Sequence, residues 1–162
     1  ARGYFEQVFH RQQYALEGLE LDFVQDNFSS SQKGVLRGLH YQLKTPQAKL
    51  VTVFYGSVFD VVVDLRRSSK NFGKWLGVEL SAENGRQLFV PRGFAHGFLV
   101  TSETVGFFYK CDAFYDPEDE HTILWNDPSV GINWPLQGSP ELSAKDRDAP
   151  LLSQIPAEKL FS

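Results

Sequence analysis

Two strand-like segments joined by a tight turn constrain the fold more than any other part of this chain. Lys49–Tyr55 is rich in β-branched and aromatic residues, Gly56-Ser57 forms the turn, and residues 58–65 alternate with a period of two. One face of the second segment carries Phe59, Val61, Val63 and Leu65, and the other carries Val58, Asp60, Val62 and Asp64. This alternation predicts a strand rather than a helix.

Similar segments recur along the chain and are separated by Gly and Pro. The further predicted strands are residues 21–24, 34–41, 75–80, 86–90, 97–101 and 104–113. Helix signals are few: residues 6–14, a single turn at 81–84, and residues 143–146 and 156–160. Many short strands with little helix predict an all-β fold, a sandwich or barrel of the jelly-roll type. A length of 162 residues predicts one domain, residues 1–162.

Composition and charge exclude several classes of function. The net charge is −4, so the chain lacks the positive charge that nucleic-acid binding needs. No run of about 18 apolar residues and no secretory signal occur, which argues against a membrane protein or an exported one. The single cysteine, Cys111, cannot form an internal disulfide and is typical of the cytoplasm. Because the sequence contains no Met, we expect it to begin inside a longer chain.

The segment with the richest chemistry is residues 35–42, together with Lys49. A histidine such as His40 is a residue type that can take up a proton at physiological pH. Arg37 can bind a phosphate through two hydrogen bonds, and Lys49 can stabilise a developing oxyanion. These three residues favour proton abstraction from a phosphorylated carbonyl substrate. The alternative is a charged strand surface with a structural histidine.

Two further groups each allow a functional and a structural interpretation. His96 lies between Gly93 and Gly97, which let the backbone approach a ligand closely. Alternatively, His96 is a buried histidine that is hydrogen-bonded at a strand corner. Asp60 or Asp64 is suited to orient a histidine from inside a barrel, unless both lie on a solvated strand face.

Two tyrosines are candidate site residues. Tyr109 shares a face with Val105 and Phe107, so we expect it to point inward. There it is either a proton donor whose pKa a nearby cation lowers, or a core aromatic bonded to the backbone. Tyr115 precedes a predicted turn, which places it at a rim, where aromatic residues stack on a base or sugar.

The C-terminal segment adds two charged candidates. Residues 143–146 resemble a capping box, so helix capping is one explanation of Asp146. Its neighbour Lys145 is either a phosphate contact or a surface charge. The four histidines, none of which has the close spacing of metal ligands, are His10, His40, His96 and His121. No Gly-rich phosphate loop or dinucleotide motif occurs. We therefore expect no metal and no cofactor.

A set of short motifs follows in a specific order along nearly the whole chain. They are Arg2-Gly3-x-Phe5, Phe23-Val24-Gln25-Asp26-Asn27, Gly34-Val35-Leu36-Arg37-Gly38-Leu39-His40, Lys49-Leu50-Val51, Asp60-Val61-Val62-Val63-Asp64-Leu65-Arg66, Pro91-x-Gly93-Phe94-Ala95-His96-Gly97-Phe98, Tyr109-Lys110, Trp125-x-Asp127-Pro128 and Leu142-Ser143-x-Lys145-Asp146. Together they resemble the dTDP-4-dehydrorhamnose 3,5-epimerases. The resemblance implies a cupin-type jelly roll and cofactor-independent epimerisation of dTDP-4-dehydro-6-deoxyglucose at C3 and C5.

The resemblance also implies a role for each site residue. The catalytic residues it implies are His40 as general base, Asp146 as its dyad partner in place of Asp60 or Asp64, Lys49 as the group that stabilises the enolate oxygen, and Tyr109 as general acid on the opposite sugar face. The substrate contacts it implies are Arg37 and Lys145 to the pyrophosphate, Arg2, Gln25, Asn27 and Tyr115 to the nucleotide, Phe5 to the sugar, and His96.

The chain departs from the family pattern in two places. Gln7 stands where the family has Glu, which affects one expected nucleotide contact. The family's strand before Arg2-Gly3 is absent, and in the family that region helps to form the dimer. We nevertheless expect a homodimer with strands exchanged near the N-terminus, because pairing sheet edges across a twofold axis removes exposed edges.

Two alternatives to double epimerisation remain at the level of the sequence. One is an epimerase that acts at C3 or C5 alone, in a deoxysugar or antibiotic pathway. The other is a non-catalytic cupin that binds sugars. The joint presence of His40, Lys49, Tyr109 and Asp146 argues against the second alternative, because simple binding needs no acid opposite a base.

Overall fold

Strands make up most of the chain in the computed structural model, which describes residues 2–162. Within these residues the strands are β1 (Gln25–Gln32), β2 (Leu36–Gln42), β3 (Lys49–Tyr55), β4 (Ser57–Asp64), β5 (Trp75–Ser81), β6 (Gln87–Val90), β7 (Phe94–Val100), β8 (Thr104–Cys111) and β9 (Glu120–Thr122). The α-helices are α1 (Arg11–Leu16) and α2 (Ala144–Arg147), and two 3-10 turns follow at Leu152–Gln154 and Ala157–Lys159.

The strands form two antiparallel sheets that pack face to face. The strand order is β1-β8-β3-β6 in the four-stranded sheet and β5-β4-β7-β2-β9 in the five-stranded sheet. Neighbours in each sheet are mostly distant in sequence, which is the connectivity of a jelly roll. The predicted all-β jelly roll with a few short helices is therefore confirmed.

Two hydrophobic cores explain why β4 is buried on both faces. The first core lies between the sheets and joins Val62 of β4 to Phe107 of β8. The second core covers the other face of the five-stranded sheet, where Ile123 and the C-terminal segment pack on Val61. Asp60 shares its face with Val62, so it points between the sheets rather than into solvent.

The strand predictions hold best where apolar side chains alternate. Lys49–Tyr55 has the predicted bounds, and the other alternating strands differ from their predictions by a few residues at most. The prediction of a strand at residues 21–24 is wrong, because the strand in this region is Gln25–Gln32. It has one large apolar residue, Phe28, and it forms by pairing with β8 at the sheet edge. The three-residue β9 is too short to show any alternation.

The first predicted helix begins later than the sequence suggests. α1 starts at Arg11, after His10, whose Nδ1 accepts a hydrogen bond from the N–H of Gln13 at 3.4 Å. Residues 6–10 are therefore not helical, contrary to the prediction for 6–14. The turn at 81–84 and the short helical segments near the C-terminus form close to their predicted positions. No helix in the described part of the chain is long and apolar enough to cross a membrane.

Candidate active site

A cavity of about 370 Å³ opens between the two sheets, a size typical of small-molecule sites. The predicted site residues that line it are Gln25, Asn27, Lys49 and Tyr109 from the four-stranded sheet, Arg37, His40 and His96 from the five-stranded sheet, and Tyr115 from the loop before β9. Both sheets therefore contribute polar side chains to one space.

His40 and Asp146, which are 106 positions apart, meet beside this cavity. The Nε2 atom of His40 lies 2.6 Å from Oδ1 of Asp146, so the predicted contact is confirmed. An ionised carboxylate only accepts hydrogen bonds, so Nε2 carries the proton and Nδ1 keeps the free lone pair of a neutral imidazole.

Helix α2 presents the Asp146 carboxylate to His40. The Ser143 hydroxyl accepts a hydrogen bond from the N–H of Asp146 and so caps the helix, as the capping interpretation predicts. Capping occupies the backbone of Asp146 and leaves its carboxylate for His40. Burial opposes ionisation, but the hydrogen bond from His40 and its neighbours outweighs burial and lowers the pKa of Asp146.

An irregularity in β2 turns Arg37 and His40 toward the same cavity. Residues three apart on a regular strand face opposite sides, but the pairing of β2 with β7 shifts register between these two residues. Gly38, at the shift, has a φ of 126°, and a Cβ there would lie 2.5 Å from the Cα of Gly97. A side chain at Gly38 would therefore disrupt the arrangement of Arg37 and His40.

Tyr109 faces the cavity from the sheet opposite His40. It lies on β8, on the same face as the buried residues Val105 and Phe107, as predicted. Burial is the main cause that raises the pKa of Tyr109 to about 12, so the prediction that a nearby cation lowers this pKa is wrong. The hydroxyl is therefore protonated at neutral pH and is available as a proton donor.

Lys49 lies beside Tyr109 in the four-stranded sheet. Its Nζ is 5.5 Å from the centroid of the Tyr109 ring. Burial lowers the pKa of Lys49, whereas its interactions with Cys111, Asp60 and Glu120 act in the opposite direction. An ammonium in such a low-dielectric site interacts strongly with a charge that develops near it.

The two aspartates of β4 do not contact His40. Asp60 is fully buried, and its Oδ1 lies 2.8 Å from Nε2 of His96. Asp64 is also buried and bonds the Arg66 guanidinium. The prediction that an aspartate of β4 orients a histidine from inside the barrel is confirmed for Asp60, whose partner is His96, and is wrong for Asp64. The alternative that both lie on a solvated face is wrong, because the opposite sheet covers Asp60 and the chain after β4 folds over Asp64. His96 is buried and hydrogen-bonded, and it also lines the cavity.

Glu120 is a cavity residue that the sequence analysis misses. Its Oε2 accepts hydrogen bonds from the Tyr115 hydroxyl at 3.1 Å and from Nζ of Lys145 at 2.5 Å. Its Oε1 lies 3.8 Å from Nδ1 of His40. Lys145 is thus held at the cavity edge by Glu120. The only signal in the sequence is one carboxylate in a polar segment, which on its own indicates a surface residue.

Hydrogen bonds join the side chains that the resemblance assigns to the nucleotide. The amide of Gln25 donates to Oδ1 of Asn27 at 3.0 Å, and its Oε1 accepts from the N–H of Tyr115 at 2.8 Å. Tyr115 is 49% exposed, as expected at a rim. The Arg37 guanidinium donates to the Ser31 hydroxyl at 3.1 and 3.2 Å. These side chains are therefore oriented before any ligand binds.

Three predicted substrate contacts do not line the cavity of this chain. Lys145 lies beside it, where it bonds Glu120. Arg2 is exposed, and Phe5 exposes 96% of its surface. Gln7, which replaces the family's Glu, lines a separate groove with Arg86 and Gln87. The roles of Arg2 and Phe5 therefore stay predictions.

The arrangement of groups in the cavity defines a class of protein. His40 can take a proton from one side of a bound molecule, and Tyr109, with Lys49 beside its ring, can return a proton from the other side. Within residues 2–162, no three His, Cys, Asp or Glu side chains converge as metal ligands would. A cupin-type jelly roll with this base and this acid is an isomerase of the epimerase class.

Comparison with known proteins identifies the family. The family model described as dTDP-4-dehydrorhamnose 3,5-epimerase matches residues 1–154. The chain belongs to this family. It is 54% identical over 155 residues to the dTDP-4-dehydrorhamnose 3,5-epimerase of Salmonella typhimurium. The aligned segment covers 94% of this chain and 85% of that protein.

Solved structures share the fold. The dTDP-6-deoxy-D-glucose-3,5-epimerase of Legionella pneumophila, in complex with dTDP-4-keto-L-rhamnose, is 53% identical with a TM-score of 0.96, over 99% of this chain and 86% of that chain. A 3′-monoepimerase from Streptomyces bikiniensis, in complex with dTDP-quinovose, is 33% identical with a TM-score of 0.87. The match covers 94% of this chain and 78% of that chain. The fold is therefore common to enzymes that invert one carbon and enzymes that invert two.

Proposed function

We propose that this chain converts dTDP-4-dehydro-6-deoxyglucose to dTDP-4-dehydrorhamnose by inverting C3 and C5 without a cofactor. The observation that carries the proposal is that His40 and Tyr109 face one cavity from opposite sheets. Inversion requires a proton to leave one face of the sugar ring and another to reach the opposite face. A base and an acid on opposite sides are suited to this reaction.

The first step is proton abstraction by His40. The C4 ketone acidifies the hydrogens at C3 and C5, and Nδ1 of His40 takes one of them. The C–H electron pair moves into the ring, so O4 gains the negative charge of an enolate. Asp146 stabilises the imidazolium through Nε2. Lys49 stabilises the charge on O4, and a preorganised donor of this kind often contributes about 3 kcal/mol.

The second step is proton return by Tyr109. Its hydroxyl donates to the opposite face of the same carbon, and the C4 ketone forms again. A phenol with a pKa of about 12 stays protonated until it is needed, but it is a weak acid. Lys49 lies beside the ring and stabilises the phenolate. Solvent then reprotonates Tyr109 and removes the proton from His40 before the second carbon reacts.

The remaining predicted contacts position the nucleotide sugar. We assign the pyrophosphate to Arg37 and Lys145, the nucleoside to Gln25, Asn27 and Tyr115, and the sugar to the neighbourhood of His96. The fixed orientation of Arg37 by Ser31 supports this assignment, because a preorganised guanidinium loses little entropy when it binds a phosphate.

We further propose a homodimer in which each chain completes the site of the other. Arg2 and Phe5 are predicted substrate contacts, yet both are exposed and lie outside their own cavity. A second copy is the simplest acceptor for an N-terminal segment with these residues. Light scattering at micromolar concentration tests the dimer, and a monomer with full activity would contradict it.

We also propose that residues 1–162 act as one domain in the cytoplasm. The support for the location is the single free thiol, Cys111, which is buried and unpaired among residues 2–162. Fractionation of the source cells, with the protein followed by antibody, tests the location.

Solvent exchange is the decisive test of the reaction. The chain is incubated with dTDP-4-dehydro-6-deoxyglucose in deuterated water, and NMR follows deuterium at C3 and at C5 against an enzyme-free sample. Double epimerisation predicts deuterium and inversion at both carbons. Deuterium at one carbon alone would replace the proposal by a single-carbon epimerase, the alternative that the similarity to a 3′-monoepimerase favours. Binding without exchange would indicate a non-catalytic sugar-binding protein.

A further inference from the structure

Glu120 joins three groups that the proposed mechanism uses separately. Its Oε2 accepts hydrogen bonds from Nζ of Lys145 at 2.5 Å and from the Tyr115 hydroxyl at 3.1 Å. Its Oε1 lies 3.8 Å from Nδ1 of His40, which is beyond hydrogen-bond distance. The side chain is only 17% exposed. A carboxylate this enclosed needs its partners, so the choice of partner matters energetically.

Together with the His40–Asp146 pair, these contacts form a ring of four side chains that passes through helix α2: His40, Asp146, Lys145 and Glu120. Lys145 and Asp146 are adjacent on α2, while His40 and Glu120 lie on the paired strands β2 and β9. Asp146 bonds Nε2 of His40, and Lys145 bonds the carboxylate that faces Nδ1. His40 therefore sits between two carboxylates, of which only Asp146 is bonded to it.

Ligand binding must break this ring if the proposed function is right. Lys145 is assigned to the pyrophosphate, and a phosphate oxygen competes with Glu120 for the same ammonium. The carboxylate also repels a pyrophosphate brought next to it. Once Lys145 turns to the pyrophosphate, the nearest remaining cation for Glu120 is the imidazolium that His40 becomes when it takes a proton.

We propose that Glu120 is a positioning residue that changes partners during the cycle: it holds Lys145 in the empty site and stabilises the protonated His40 once the pyrophosphate has taken Lys145. The inference rests on the proposed function and deepens it. It makes Glu120 unfavourable for binding of the nucleotide and favourable for turnover, which is the opposite of what a simple substrate contact does.

Binding of dTDP, measured by calorimetry, tests the first half. Glu120→Gln keeps the shape and removes the charge, so it should bind dTDP about two- to fivefold more tightly, the factor that one partly exposed ion pair contributes. Glu118→Gln removes the same charge from an exposed side chain two residues away and should bind dTDP as the wild type does. Weaker binding by Glu120→Gln would make Glu120 a ligand contact and overturn the proposal.

Steady-state kinetics test the second half. For Glu120→Gln we expect both KM and kcat to fall, with kcat reduced about two- to fivefold because the imidazolium loses a counter-charge. A merely structural role would raise KM instead. In a Lys145→Met background, Glu120→Gln should tighten dTDP binding less than it does alone, and purely additive effects would contradict the exchange of partners.

A measurement on the unchanged chain covers the case in which Glu120→Gln does not fold. Lys145, His40 and Tyr115 face the Glu120 carboxylate and, against the effect of burial, lower its pKa. Carbon-13 NMR of labelled glutamate should show this carboxyl titrating at higher pH when dTDP is bound. No shift would overturn the proposal. Because dTDP carries no reacting sugar, the binding experiments stand even if the epimerase reaction fails its own test.

Discussion

Two histidine–aspartate pairs lie side by side in this protein and differ in their surroundings. His40 and His96 are opposite each other on β2 and β7. In the His40–Asp146 pair the atoms are 2.6 Å apart and the histidine side chain is 24% exposed. In the His96–Asp60 pair they are 2.8 Å apart, and the side chains are 7% and 0% exposed.

On the proposed mechanism, exposure rather than residue type separates the roles of the two pairs. A general base must release its proton to solvent between turnovers, and the partly exposed His40 can do so. Asp60 and His96 lie between the sheets, where they contribute a fixed charge close to Lys49 and hydrogen bonding within the core. On the proposed mechanism the first pair abstracts protons, whereas the second pair fixes the position of His96 in the cavity wall.

Removing the imidazole of His40, the more exposed of the two histidines, should have the largest effect on turnover. We expect His40→Ala to lower kcat by about 10²–10⁴-fold, the usual contribution of a general base, while dTDP binding stays close to that of the wild type. His10→Ala, which removes an imidazole outside the cavity, is the matched control. A large loss of dTDP affinity in His40→Ala would make His40 a binding residue and remove the contrast with His96.

Tyr109→Phe tests the proposed acid that faces the His40–Asp146 pair. The substitution removes one oxygen and keeps the packing, so the unfolding midpoint should change little. Net inversion should slow by about 10²-fold, while His40 still exchanges a substrate hydrogen with solvent from its own side. Inversion of both carbons at the wild-type rate would show that another group or a water donates the proton.

Replacing each aspartate by asparagine compares the two pairs directly. Asp60→Asn alters a fully buried hydrogen bond and should lower the free energy of unfolding by about 1–3 kcal/mol. Asp146→Asn should destabilise less but reduce turnover more, because it misorients the base. Urea unfolding and initial rates on both variants provide the check. If Asp60→Asn has the larger effect on turnover and the smaller effect on stability, the assignment of the two pairs is reversed.

Asp64 extends the comparison to a carboxylate whose partner is an arginine rather than a histidine. Of the substitutions considered, Asp64→Asn should have the smallest effect. The hydrogen bond from Arg66 outweighs burial and holds the pKa of Asp64 at about 2. Because the pKa in the folded state lies below the ordinary value of 3.8, this pair stabilises the protein above about pH 4 and stops doing so as pH falls toward 2. Asp64→Asn should cost about 1 kcal/mol at neutral pH and flatten the acid unfolding curve in that window. An unchanged curve would contradict the prediction.

The sequence predicts strands where both faces of a strand meet apolar neighbours. In β4 alternate side chains contact two different cores, and in β3 alternate side chains, Val51 and Val53, contact the core between the sheets, so alternation is visible without the structure. β1 and β9 are edge strands whose partners, β8 and β2, hold them in place. Polar residues such as Gln25 and Glu120 carry no such signal, and for this reason the start of β1 is predicted wrongly and β9 is missed.

In the site, too, the sequence indicates some features and the tertiary structure decides others. The residue types of Arg37, His40 and Lys49 by themselves indicate a base, a phosphate-binding group and a stabiliser of negative charge, and the order of motifs indicates the family. Whether Arg37 and His40 share a cavity depends on the register shift at Gly38, which is settled by the close approach of β7. Alternation along a strand reflects local burial, which the sequence encodes directly. The pairing of His40 with Asp146, of His96 with Asp60 and of Glu120 with Lys145 was decided by how the two sheets and the C-terminal segment pack, because these partners are brought together only by the folded chain.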